Sequence, residues 1–185
     1  MESWKKEGFE WLKALAVGVV IVLIVRIFLF SNYVVEGVSM QPTLQDGNKL
    51  VINKIGYQIG ELDRFDVIVF HANESEDYVK RVIGLPGDEV TYEDDKLYIN
   101  GEYYEEPYLD EFHAENADGR LTGDFTLEEL TGQTTVPEGM IFVLGDNRQE
   151  SLDSRIFGFV DQESVVGKVD LRYWPLDELD VRFYD

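Results

Sequence analysis

Residues 78–88 read Y-V-K-R-V-I-G-L-P-G-D, and this run decides how the body of the chain is built. Tyr78, Val79, Val82 and Ile83 favour a pleated strand, and Gly84-Leu85-Pro86-Gly87-Asp88 ends it in a turn. Side chains alternate between the two faces of a strand, so Lys80 shares a face with Tyr78 and Val82 while Arg81 lies on the other. An ammonium on so apolar a face is poorly solvated. Desolvation disfavours the charged form and lowers a lysine pKa from its usual value of about 10.4. The neutral amine can then take a proton from a serine hydroxyl. An ordinary strand lysine with its head in water would give the same string.

The pattern repeats on either side. Lys49–Lys54, Asp66–Phe70, Met140–Leu144 and Val165–Tyr173 are further short runs rich in Val, Ile and aromatics, and Gly and Asp punctuate them. Asn100-Gly101 after Lys96–Ile99 is a strong hairpin signal. A helical period is confined to the N-terminal segment and the neighbourhood of Leu127–Leu130. The predicted fold class is therefore mostly β. The stretch 103–136 is acidic, rich in Gly and Thr, and poor in long apolar runs. It reads as an inserted subdomain between two halves of one β core, or as a long acidic surface loop.

Leu12–Phe30 contrasts with this body. It is 19 residues long with Lys13 at its edge and Arg26 inside, and as a helix it would span roughly 28 Å, close to a bilayer core. Arg26 could snorkel towards the interface. Ser31-Asn32-Tyr33-Val34-Val35 offers no small-x-small cleavage site, so a retained transmembrane anchor is expected rather than a removed leader. Lys5, Lys6 and Lys13 precede the span, and no Lys or Arg occurs from Leu29 to Asn48. The positive-inside rule then places residues 1–11 in the cytoplasm, 12–30 in the membrane and the body, 31–185, outside the cell.

The formal net charge is -21, and so acidic a chain repels nucleic-acid phosphates. There are no cysteines, which removes disulfides, thiolate catalysis and Cys-based zinc sites. His71 and His113 are the only histidines, and neither sits in a motif such as H-E-x-x-H, so no metal site is expected. Two further strings carry candidate chemistry. Gly37-Val38-Ser39-Met40-Gln41-Pro42-Thr43-Leu44 begins seven residues after the apolar span, and by composition alone is also an ordinary turn. Gly145-Asp146-Asn147-Arg148-Gln149-Glu150-Ser151-Leu152-Asp153-Ser154-Arg155-Ile156-Phe157-Gly158 follows an apolar strand and is dense in polar groups that need partners, as a loop bracing a site would be.

These strings, in this order, resemble the type I signal peptidases. The likeness covers residues 12–174 and rests on V-E-G-V-S-M-Q-P-T-L, R-F-D-V-I-V-F, Y-V-K-R-V-I-G-L-P-G-D and G-D-N-R-Q-E-S-L-D-S-R-I-F-G, with L-Y-I-N-G-E and E-P-Y-L in support. The resemblance implies a membrane-bound serine endopeptidase that cuts preproteins after Ala-x-Ala sites. It makes Ser39 the nucleophile and Lys80 the general base, with Ser151 hydrogen-bonding and orienting the lysine. The Ser39 amide would supply part of the oxyanion hole. Asp146, Asp153, Arg81 and Arg155 would brace the site, and Met40, Leu44, Tyr78 and Val79 would line pockets for small side chains. No cofactor is implied. The implied partners are preproteins, membrane lipid and the export machinery. Gly37 stands where some members carry a serine whose hydroxyl assists the oxyanion hole, and Phe65 stands where Gly is common. A non-catalytic, membrane-anchored relative on the same fold is the alternative. The soluble, DNA-linked self-cleaving peptidases of the SOS-repressor type resemble the chain more distantly.

Overall fold

The computed structural model describes residues 2–28, 30–54, 62–115, 120–181 and 183, with the side chains of 2–6, 21–28, 30 and 115 excepted. Helix α1, Glu2–Phe28, leads into a large antiparallel sheet. Its strands are β1 Phe30–Val34, β2 Lys49–Asn53, β3 Val67–His71, β4 Asp77–Gly84, β9 Met140–Leu144, β10 Val160–Asp161 and β11 Val165–Trp174, in the order β1-β2-β11-β3-β4-β9-β10. Every run read as a strand from composition lies in one of the two sheets. The apolar alternation matches the pleat. Val67 and Val69 of β3 pack into one core with Leu50, Ile52 and Val169, whereas Ile68 and Phe70 face a second core with Val82, Ile141 and Val143. Both faces are covered, which explains runs that are apolar at nearly every position.

The sheet is strongly curled. Tyr33 of edge strand β1 hydrogen-bonds through its hydroxyl to Asp77 of β4 at 2.8 Å, although β4 stands four places further along the sheet. At about 4.8 Å per strand a flat sheet would hold them nearly 20 Å apart, so sheet twist closes the gap. The consequence is a cleft between the segment after β1 and the start of β4.

Between β4 and β9, which are neighbours in the large sheet, the chain builds a second sheet. It comprises β5 Val90–Glu93, β6 Lys96–Ile99, β7 Glu102–Tyr104 and β8 Phe125–Thr126, ordered β7-β6-β5-β8. Asn100 and Gly101 both take positive φ, 53° and 81°, as the tight β6–β7 turn requires. Helix α2, Asp110–Glu115, and helix α3, Leu127–Thr131, flank this sheet. Thr126 caps α3 in a reciprocal capping box with Glu129, which answers the helical signal at Leu127–Leu130. The second sheet begins at Val90, earlier than the boundary expected at 103. The β5–β6 hairpin alternates as well as any strand of the body, and local pattern does not say which sheet a hairpin joins.

The N-terminal segment also departs from expectation at its ends. Helix α1 starts ten residues before Leu12, and Phe30 opens β1 instead of closing the helix. Among the described residues no helix is long and apolar enough to cross a membrane, and the side chains of 21–30, half of the expected span, lie outside the described residues. The described part of α1 leaves Phe9, Trp11, Leu12, Leu15, Val17, Val19 and Val20 exposed.

Candidate active site

The cleft formed by the curl holds about 570 Å³. One wall is the segment from Tyr33 to Met40 and the other runs from Ser75 to Lys80, with Glu150 and Leu152 closing one side. Ser39 and Lys80, 41 residues apart in sequence, meet here at 2.7 Å between Oγ and Nζ. An ammonium donates in this bond, and a neutral amine accepts from the hydroxyl.

Of the two environments open to Lys80 from the sequence, the structure shows the desolvated one. The lysine sits between Tyr78 and Val82 on one face of β4, and the cross-strand neighbour is Ile68. The Tyr78 ring lies 5.3 Å from Nζ, and the residue is 4% exposed. Its second hydrogen bond goes to the Val79 carbonyl at 3.0 Å, and among the described residues no carboxylate contacts the ammonium. Burial therefore pushes its pKa down from 10.5 to about 8, with Asp153 and Asp146 pulling weakly the other way.

Arg81, the next residue, is also buried but faces the opposite way into a complete set of acceptors. Nε and Nη2 form a fork with the Asp146 carboxylate at 2.9 and 2.7 Å. Nη1 donates to the carbonyls of Phe65, at 2.9 Å, and Phe183. The guanidinium stacks on Tyr108 at 3.8 Å. Burial opposes its charge, but Asp146 outweighs this and holds the pKa above its ordinary value. Thr43 Oγ1 donates to the same carboxylate at 2.5 Å, so Arg81 and Asp146 anchor the turn that carries Ser39.

The loop after β9 packs beneath that turn. Asn147 N–H donates to the Ser39 carbonyl at 3.0 Å. Gly145 leaves no room for a side chain: a Cβ there would stand 2.1 Å from Ser151 Oγ and 2.4 Å from the Ser39 carbonyl oxygen. The Gly145 amide donates to Asp153 at 3.1 Å, and Arg155 grips both Asp153 oxygens at 2.8 Å. Burial raises the Asp153 pKa, yet Arg155 and the Gly145 amide bring it below the usual carboxylate range. Ser154 Oγ accepts from Val143 N–H at 2.9 Å, fixing helix α4, Ser154–Phe157.

Three expectations take a different form. Ser151 does not hydrogen-bond Lys80, whose bonds go to Ser39 and Val79. Among the described residues its buried Oγ meets no partner at hydrogen-bond geometry, although it lies close enough to Asp153 to favour that carboxylate's ionised form. Leu44 does not line the cleft. It is fully buried in the core behind Met40, where its amide closes a turn onto the Met40 carbonyl at 2.8 Å. The Gly37 amide donates to Asp46 at 2.8 Å, so it is not free for a substrate oxyanion. The Ser39 amide makes no hydrogen bond among the described residues. Met40, Tyr78 and Val79 do line the cleft.

Sequence reasoning gave no role to Arg148, which is buried at the join of the two sheets. It donates to the Gly145 carbonyl at 3.1 Å, to Thr122 at 3.1 Å, to Glu106 at 2.6 Å and to Tyr92. Its density of polar neighbours was visible in the sequence, but its main partner, Glu106, lies 42 residues away.

The model of the family described as signal peptidase, peptidase S26, matches residues 8–174 of the chain. Signal peptidase I of Bacillus caldolyticus is 60% identical over 179 residues, 97% of each chain. Signal peptidase IB of Staphylococcus aureus is 45% identical over 183 residues, 97% of this chain and 96% of the relative. A crystal structure of a signal peptidase I from Enterococcus faecalis is 51% identical with a TM-score of 0.56, covering 60% of this chain and 97% of that one.

Proposed function

The chain belongs to the signal peptidase family, peptidase S26, and from that premise we propose that it cuts signal peptides from exported preproteins with Ser39 as nucleophile and Lys80 as general base. The observation that carries the proposal is the 2.7 Å contact between Ser39 Oγ and a buried lysine amine that no carboxylate contacts among the described residues. A pKa near 8 leaves part of the population neutral at physiological pH, which is what a base for a serine hydroxyl requires.

The substrate enters the cleft as an extended segment alongside the Tyr33–Met40 wall, with main-chain hydrogen bonds for affinity. Met40, Tyr78 and Val79 leave space for small side chains, in keeping with Ala-x-Ala sites. Ser39 Oγ attacks the scissile carbonyl as its proton passes to Lys80 Nζ. The Ser39 amide donates to the developing oxyanion. The protonated lysine then gives its proton to the leaving amine, which frees the mature protein and leaves the signal peptide esterified to Ser39. Water, deprotonated by the same amine, attacks the ester and restores the enzyme. Ser151 Oγ, with hydrogen-bonding capacity to spare, takes part in orienting Lys80 when substrate excludes water from the cleft. Asp146, Asp153, Arg81 and Arg155 hold the framework.

We also place the chain in the cell membrane as a single-pass protein. The support is the apolar run 12–30, the exposed apolar residues of α1 and the cationic flank before them. Its body then works on the outer surface, where a signal peptide leaves the lipid. Resistance of membrane-bound protein to carbonate extraction, with external protease reaching residues 31–185, is the expected outcome; release by carbonate would end this part of the reading.

The activity is tested by incubating a preprotein bearing an Ala-x-Ala site, in lipid or detergent, with the wild type, Ser39→Ala and Lys80→Ala. Cleavage after the final Ala by the wild type alone is expected. Equal inactivity of three folded proteins would favour a non-catalytic relative.

A further inference from the structure

The turn bearing Ser39 is short of regular secondary structure. Its internal hydrogen bonds are Gln41 N–H to the Val38 carbonyl at 3.1 Å and Leu44 N–H to the Met40 carbonyl at 2.8 Å. A nucleophile must be held within a fraction of an ångström of its base. Beyond Asn147 and Thr43, both already described, two further supports reach this turn, and both depend on the segment that follows β11.

The first support is apolar. Phe183 is 2% exposed and packs in the same core as Val35, Met40 and Leu44, the residues that flank Ser39. Its carbonyl accepts from Arg81 Nη1, so the same residue completes the shell of the guanidinium that grips Asp146. The second support is polar. Arg172 Nη1 donates to the Thr43 carbonyl at 2.7 Å, while its Nε donates to the Glu178 carbonyl at 2.7 Å. Arg172 and Asp180 also exchange backbone hydrogen bonds at 2.8 and 3.1 Å. Residues 175–181 are thereby folded back onto β11 and point Arg172 at the turn, and Phe183 lies beneath that turn.

We infer that the segment after β11 is a strap that positions the nucleophile turn, with Phe183 and Arg172 as its points of attachment. These are positioning residues, since neither reaches the Ser39–Lys80 pair; they act through Met40, Thr43 and Arg81. The inference rests on the signal peptidase reading for its catalytic consequence but not for its structural one.

The test combines kinetics with amide hydrogen exchange on the full-length enzyme, a chain ending at Asp180, Phe183→Ala, Phe183→Leu and Arg172→Met. Removing the end of the strap that carries Phe183, or replacing either attachment, is expected to lower kcat roughly 10- to 100-fold, with KM changed by less than about threefold. Exchange at the Leu44 and Asn147 amides should rise by about tenfold or more, with the β5–β6 hairpin unchanged. Phe183→Leu, which refills most of the space, should recover most of kcat. Two results overturn the proposal: wild-type exchange at Leu44 and Asn147 in the shortened chain, or a rise spread equally over β5 and β6, which is the sign of global destabilisation. Local exchange at the turn in an enzyme that cuts no preprotein would sustain the strap and sink the signal peptidase reading instead.

Discussion

Lys80 and Arg81 are adjacent in one strand, and both are cations buried out of water, yet the two faces of β4 treat them in opposite ways. On the cleft side Lys80 meets apolar walls, a serine hydroxyl and one carbonyl. On the other side Arg81 meets a carboxylate fork, two carbonyls and an aromatic ring. The same burial therefore lowers one pKa to about 8 and fails to lower the other. The difference lies in what the partner can do: a buried charge that is fully paired stays charged, and one left without a counter-ion becomes a base. Arginine suits the first role because its guanidinium forks onto a carboxylate and does not give up its proton.

Exchanging the character of the two sites should break the comparison most severely. Lys80→Arg keeps the charge but removes the base, and kcat/KM for preprotein cleavage is expected to fall on the order of 10³-fold. A variant that kept a tenth of the activity would show that Lys80 acts as a cation. On the opposite face, Arg81→Leu leaves the Asp146 carboxylate buried without its partner. That costs about 3–5 kcal/mol and, for a chain of this size, lowers Tm on the order of 10 °C, measurable by calorimetry in detergent. The double variant Arg81→Leu/Asp146→Leu should regain much of that stability without regaining activity.

A subtler test reads the base directly. In the proposed mechanism Lys80 must be neutral to act, so kcat/KM should rise about tenfold per pH unit below about 8 and level off above it. Because Asp153 favours the charged lysine, Asp153→Asn should move this limb towards lower pH. A limb that stays put or moves up would contradict the electrostatic account. The smallest effect is expected for Thr43→Val, which loses one hydrogen bond to a carboxylate that Arg81 continues to hold. About 1.5 kcal/mol, or roughly 4 °C in Tm, is expected.

Much of this architecture was legible beforehand, for reasons that differ from place to place. Strands such as Met140–Leu144 and Lys96–Ile99 were readable to the residue because β-branched and aromatic runs end sharply at Gly, Asp or Asn-Gly. Which residues share a face with Lys80 followed from period-two alternation; that this face is buried did not, since a solvated strand lysine fits the same string. Nor did the encounter of Lys80 with Ser39. That pairing came from the resemblance of ordered strings to a family, since local sequence carries no measure of distance between separate segments. The insertion was expected to start at 103, later than the second sheet's first strand at Val90, because a hairpin does not announce its sheet. The partner of Arg148 lay across a fold boundary. The roles of Phe183 and Arg172 left no local trace, as V-R-F-Y-D reads like any polar–aromatic tail. Ser151 and Leu44 were carried over by motif, and their contacts follow from how the loop after β9 and the turn after Ser39 pack.

What the sequence by itself determined is whatever depends on neighbours within a few residues: the strands and their faces, the Asn100-Gly101 turn, the apolar N-terminal run, the acidic body, and the apolar company of Lys80 on one side of β4. Only the tertiary structure decided what depends on the curl of the large sheet. Twist accumulated over five strands brings the segment after β1 against β4, opens the cleft, and sets Ser39 within 2.7 Å of Lys80. The physical reason is that hydrophobic alternation specifies which face of a strand is buried, while contact between distant segments depends on the summed geometry of every strand between them.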